Sequence, residues 1–176
     1  SRANQTCRFP ANFLLAAAMN PCPCGYANDP EKECTCTPSQ IHKYRTKISG
    51  PLLDRIDLHV YVPPLAPYEL ADKPQGECSE KVKERVLKAR ERQMNRKANN
   101  GILNSHLPSN NLIENCLVNN SAKKLLVEAA KTLKLSARAY DKIIRISRTI
   151  ADMEGSNEVL SQHLSEALQY RSLDSN

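Results

Sequence analysis

The chain has 176 residues, 25 Lys+Arg against 19 Asp+Glu, a formal net charge of +6 and 40% apolar residues. Those values exclude a wholly disordered chain and leave room for one domain, or two small ones, with a real core. With no Trp and two Phe, broad aromatic stacking platforms for single-stranded nucleic acid are not expected.

The longest apolar run, Phe13 to Met19, is far short of a membrane span, so no membrane partner is expected. A secretory leader is not expected, and a cytoplasmic location is. A start on Ser1 reads as an excised piece. The five glycines are Gly25, Gly50, Gly76, Gly101 and Gly155, and no two lie closer than 25 positions. A P-loop needs two glycines five positions apart, followed by Lys. The dinucleotide-binding fingerprint fails in the same way.

In chain order, the run 13–19 closes at Asn20-Pro21. Short and wholly apolar, it predicts a strand buried on both faces. A Cys/Pro-rich loop follows over 21–38, then a predicted helix near 38–48. Residues 56–62 alternate apolar and polar before Pro63-Pro64, which predicts a half-buried strand. Residues 65–78 hold Pro67, Pro74 and Gly76 and read as a linker. From there on the pattern is helical. In 79–97, Val82, Val86, Ala89 and Met94 fall on one side among charges. Ala122, Leu125, Leu126, Ala129 and Leu133 keep helical spacing. Ser136 is expected to cap a helix bearing Tyr140, Ile143, Ile144, Ser147 and Ile150, with Gly155 as its stop. Asn157 is expected to cap a last helix with His163, Leu164, Ala167 and Leu168. Two strands then four or five helices are the expected elements, and two strands cannot make a whole sheet.

Seven cysteines occur, four of them as two Cys-x-Cys pairs, Cys22/Cys24 and Cys34/Cys36. Four thiolates within fifteen residues can close a tetrahedral Zn(II) site. Cys-x-Cys is less specific than the usual Cys-x2-Cys spacing. A disulfide or redox pair and a set of unligated thiols stay open as alternatives. Cys7, Cys78 and Cys116 stand alone and read as ordinary thiols, and His42 as a surface group. The four His lie far apart, and no Ser or Cys lies in a nucleophile-elbow context.

The charge is concentrated: residues 80–97 carry five of the six net positive units. Lys81, Lys83, Arg85, Lys88, Arg90 and Arg92 can track a phosphate backbone, which makes DNA a candidate partner. A solvated face laced by helix pairs such as Glu84 with Lys88 is the competing reading.

Three strings taken together carry a resemblance: FPANFLLAAAMNPCPCGY (9–26), ISGPLLDRIDLHV (48–60) and LSARAYDKIIRISRTIADMEG (135–155). They resemble the magnesium-chelatase-like AAA+ ATPases of the YifB/ComM family, over nearly the whole chain and in the same order. The resemblance implies an α/β fragment of an AAA+ P-loop ATPase core over 1–64, a linker over 65–78 and an all-α lid over 79–176. It implies that the P-loop and the acidic Walker B strand belong to a preceding part of a larger protein. ATP and Mg2+ would then be held by the parent and not tightly by this chain.

By the same resemblance Asn20 is sensor 1, a polar group able to orient the attacking water. Arg55 is the arginine finger, acting on a neighbouring subunit's nucleotide. Arg138 is sensor 2, reaching the γ-phosphate of its own subunit. Read from the residues alone, Asn20 can simply start a turn, Arg55 can bridge Asp54 or Asp57, and Arg138 can be a solvated helix charge. Arg145 and Arg148 read as surface or interface groups, and Arg45 and Lys47 as candidate interface groups. The implied partners are the rest of the AAA+ module, neighbouring subunits of a homo-oligomeric ring (a hexamer) and DNA. The Cys-Pro-Cys-Gly that follows Asn20-Pro21 favours a ComM-like DNA-remodelling ATPase over a magnesium-chelatase motor subunit. A zinc-bearing DNA or protein adaptor is a further alternative.

Overall fold

The computed structural model describes residues 7, 10, 13–64, 76–97 and 100–171. The chain divides into two compact units, Ser1–Lys47 and Ile48–Asn176. Most of the expected linker, 65–75, lies outside the described residues.

The first unit holds the cysteine loop and helix α1, Pro38–Arg45. Thr37 starts α1 with a reciprocal cap: its hydroxyl accepts the Gln40 N–H at 3.3 Å, and the Gln40 side chain accepts the Thr37 N–H at 2.8 Å. Pro38 occupies the first turn, where its missing N–H costs nothing. The expected strand 13–19 is not formed. Its residues belong to no strand, and all are exposed, Leu14 to 94%. The physical reason is that a strand is completed by neighbours on both edges and both faces, and nothing among the described residues supplies them.

The second unit contains α2, Gly50–Leu53, α3, Ser79–Asn95, and a 3-10 turn at Asn104–His106. These are followed by α4, Leu112–Asn115, α5, Asn120–Thr132, α6, Ala137–Glu154, and α7, Ser161–Gln169. α6 is the centre. It packs against α7, α3, α4 and the 3-10 turn, and α5 packs against α7. Ile143, Ile144, Leu126, Leu164, Ala167, Leu107, Leu112 and Cys116 form the buried core. Ser136 caps α6 by accepting the Ala139 N–H at 3.0 Å. Gly155 ends it at φ +81°, a conformation that suits glycine.

Three expectations are corrected here. Residues 56–62 form no strand. The β pairing among the described residues is a single parallel bridge, Val118 with Val159. Val60 and Val62 are exposed, while His59 is buried and donates its N–H to the Tyr170 carbonyl at 2.7 Å. This segment therefore packs with the helical unit. Secondly, α3 buries Ala89 and Gln93 and leaves Val82, Val86 and Met94 exposed. Its inward face is set by close approach at a small residue. Thirdly, Asn157 does not cap α7. The Leu160 N–H goes to His163 Nδ1 at 3.0 Å, which leaves His163 Nε2 to donate to Glu154 at 2.8 Å. That hydrogen bond holds the Glu154 carboxyl below its usual value.

Candidate functional site

The cysteine loop turns tightly. Gly25, at φ +89°, donates its N–H to the Cys22 carbonyl at 3.1 Å. Asp29 Oδ1 then accepts the Glu31 and Lys32 N–H groups at 2.8 and 2.9 Å. These turns bring together Cys22, Cys24, Cys34 and Cys36, whose sulfurs all lie within 4.8 Å of one another. Cys22 to Cys24 is 3.3 Å, Cys24 to Cys34 is 3.6 Å and Cys22 to Cys34 is 3.7 Å. Four sulfurs about 2.3 Å from a zinc ion would stand about 3.8 Å apart. All four are free thiols. Cys22 is fully buried, and its sulfur accepts the Ala27 N–H at 3.3 Å.

The electrostatics of the cluster are those of crowded thiolates. The Tyr26 N–H beside Cys24 pulls its thiol down to about 5. Burial pushes Cys36 up to about 12. Such a split arises where close thiols cannot all ionise together. A divalent cation among them removes that conflict, so this donor set fits a metal ion.

Asn20 lies in the first unit, exposed, with its side-chain nitrogen 4.0 Å from where a Cβ on Gly25 would stand. Arg45 donates to the Pro21 carbonyl at 3.4 Å, and Lys47 lies over the Tyr44 ring.

Arg55 and Arg138 both lie in the second unit, joined through the acids beside Arg55. Arg55 itself is exposed and donates to the Pro51 carbonyl at 2.6 Å. Neither neighbouring aspartate pairs with it among the described residues. Asp54 accepts from Ser136 at 2.9 Å and faces Arg138 at 3.6 Å and Arg171 at 3.5 Å. Asp57 pairs with Lys142 at 2.8 Å, and the same ammonium donates to the Arg55 carbonyl. Arg171 also donates to the Ile56 carbonyl at 2.6 Å. Sequence reading missed Lys142 and Arg171, since nothing in local spacing links them to residues 87 and 115 positions earlier.

Arg148 is a correction. It is fully buried, not a surface or interface group. It donates to the carbonyls of Cys116 at 3.2 Å, Asn157 at 2.9 Å and Ser156 at 2.7 Å, and to Asp152 at 3.0 Å. Desolvation holds it below the ordinary arginine value, with Asp152 opposing. Arg145 likewise works within the unit, donating to the Leu107 carbonyl at 2.9 Å and to Ser109 at 3.2 Å. Cys116 is raised to about 11 by burial and is an inert thiol.

The basic helix α3 divides in two. Arg92 donates to the Gly155 carbonyl at 2.6 Å, a cation placed on the C-terminus of α6. Arg85 contacts Glu77 at 2.8 and 2.9 Å. Lys81, Lys83, Lys88 and Arg90 are exposed.

Known proteins match the chain along its length. The family model described as "Magnesium chelatase, subunit ChlI C-terminal" matches residues 76–171, and "Magnesium chelatase, subunit ChlI" matches residues 1–70. Competence protein ComM of Haemophilus influenzae is 42% identical over 98% of this chain and 33% of its own length. YifB of Escherichia coli is 39% identical over 99% of this chain and 34% of its own length. YifB of Salmonella typhimurium is 37% identical, again over 99% and 34%. The chain thus spans about a third of the curated relatives it matches. It belongs to the magnesium chelatase ChlI family, in the ComM/YifB group, and joins a fragment of that family's AAA+ domain to its C-terminal domain.

Proposed function

We propose that this chain is the sensing and trans-acting part of a ring-forming, ComM-like AAA+ ATPase that couples ATP hydrolysis to DNA remodelling. The observation that carries the reading is the state of Arg55. Two aspartates flank it in sequence, yet both are engaged by other cations, and among the described residues its guanidinium meets the Pro51 carbonyl. An exposed arginine clear of acids suits a phosphoryl group on a neighbouring subunit. Arg138, half exposed at the start of α6, is sensor 2, and Asn20 is sensor 1. The core fragment runs to residue 64 and the lid begins at 79. The parent holds ATP and Mg2+, works in the cytoplasm and assembles as a homohexamer. The likeness to a competence protein supports DNA as substrate over tetrapyrrole metal insertion.

Replacing Arg55 by Ala in the full-length protein is expected to lower ATP turnover by about a thousandfold or more. Nucleotide affinity should stay within about twofold. Turnover at the wild-type rate would remove the finger assignment.

DNA contact falls to Lys81, Lys83, Lys88 and Arg90. Changing all four to Ala should weaken DNA binding and flatten its salt dependence by about 0.9 per lost phosphate contact. An unchanged log–log slope would reassign this face to solvent. Arg85 and Arg92 are already engaged within the chain and should contribute less.

A second reading concerns the cysteine loop alone. Cys22, Cys24, Cys34 and Cys36 hold a structural Zn(II), the reading supported by sulfur separations close to the edge of a zinc–thiolate tetrahedron.

A further inference from the structure

We propose that Lys142 is a positioning residue for Arg55, holding the loop that presents it and keeping Asp57 away from it. The proposal rests on the finger reading above and extends it to a residue on the lid helix α6.

The sequence Asp54-Arg55-Ile56-Asp57 sets a problem. An arginine between two carboxylates has local partners that would fold it back and cancel its charge. The structure answers with four groups from two helical segments. Ser136 and Arg138, at the start of α6, take Asp54, together with Arg171 just beyond α7. Lys142, one turn further along α6, takes Asp57 and also grips the Arg55 carbonyl.

Lys142 holds both Asp57 and the carbonyl of Arg55 itself, whereas Arg171 holds Asp54 and the carbonyl of the next residue, Ile56. Its side chain is only 13% exposed, whereas Asp57 is 70% exposed, so the lysine is the anchored partner and the aspartate comes to it. An ammonium suits the task because it offers three donors, enough for a carboxylate and a carbonyl at once. The main chain of Arg55 is thereby pinned on the inner side while its guanidinium points to Pro51 and solvent. Because Lys142 and Arg138 share α6, the helix proposed to sense the subunit's own nucleotide also holds the arginine offered to the next subunit.

The test is steady-state ATP hydrolysis by the full-length protein carrying Lys142→Met. The expected result is a kcat lower by about tenfold, the scale of a slightly misplaced catalytic group, with KM for ATP within about twofold. Lys142→Arg should keep most of the rate. Adding Asp57→Asn to Lys142→Met should recover part of the loss, because the competing carboxylate is gone. Arg55→Ala combined with Lys142→Met should be no slower than Arg55→Ala alone.

Multiplying losses in that double variant, a rise in KM alone, or no effect of Lys142→Met where Arg55→Ala is inactive would each overturn the proposal. So would failure of Asp57→Asn to restore any activity in a Lys142→Met protein whose thermal melting is unchanged. Full turnover by Arg55→Ala would instead sink the finger reading itself, so the two failures are distinct. Hydrogen exchange gives a readout free of activity: Lys142→Met should speed exchange at the amides of Ile56 to His59.

Discussion

Replacing Asp152 by Ala should cost the helical unit about 3–5 kcal/mol, the expected scale for breaking a buried ion pair from one side. The Asp152 side chain is fully buried between two arginines, Arg148 and Arg96. Asn104 donates to its second oxygen at 2.9 Å and accepts from Arg96 at 3.0 Å. Gln93 in turn accepts the Asn104 N–H at 3.1 Å. One carboxylate thus ties α3, the 3-10 turn and α6 together. Removing it leaves the fully buried Arg148 without its ion partner. Urea unfolding of the variant beside wild type measures the loss. A cost below about 1 kcal/mol would mean that water or rearranged neighbours satisfy the arginines, a behaviour typical of exposed pairs. Arg148→Met should also be destabilising, because the carbonyls of Cys116, Ser156 and Asn157 lose a shared donor.

The second large effect concerns the proposed zinc site. Protein purified without chelator should carry about one zinc per chain, and Cys22→Ser should abolish tight binding. In the described part of this loop the buried side chains are Cys22 and Ala27 alone. So little apolar burial cannot hold fifteen residues of turns in place, and metal–thiolate bonds are the natural substitute. Chelation should therefore disorder residues 22–36 while the helical unit keeps its circular dichroism. Elemental analysis finding no metal, with four titratable thiols in the native protein, would overturn the site.

The helices were legible because their cause is local. Periodic apolar positions, Ser136 as a cap and Gly155 as a stop all act within a few residues, and α6 begins and ends where they indicate. The cysteine cluster was legible for the same reason. The strands were not, because residues 13–19 and 56–62 have strand composition but the structure gives them no ladder partner. Pattern alone also misjudged Arg148. A cation four residues before an acid on a helix looks the same whether the pair is exposed or buried, and only the carbonyl ends of other segments reveal the difference. The partners of Asp54 and Asp57 were likewise hidden, since α6 and the end of α7 reach them only after folding.

The bare apolar segments have a practical consequence. Phe13, Leu14 and Leu15 are 59–94% exposed, and Leu58, Val60, Tyr61 and Val62 are 49–80% exposed. Each is a β-prone apolar stretch that pairs with no strand among the described residues, the kind of surface that recruits copies of itself. Handled in isolation at high concentration, this chain has two such templates for self-association, whatever the stability of its helices. Its colloidal behaviour is then governed by those two stretches, and polar substitutions there would improve it where strengthening the helical core would not.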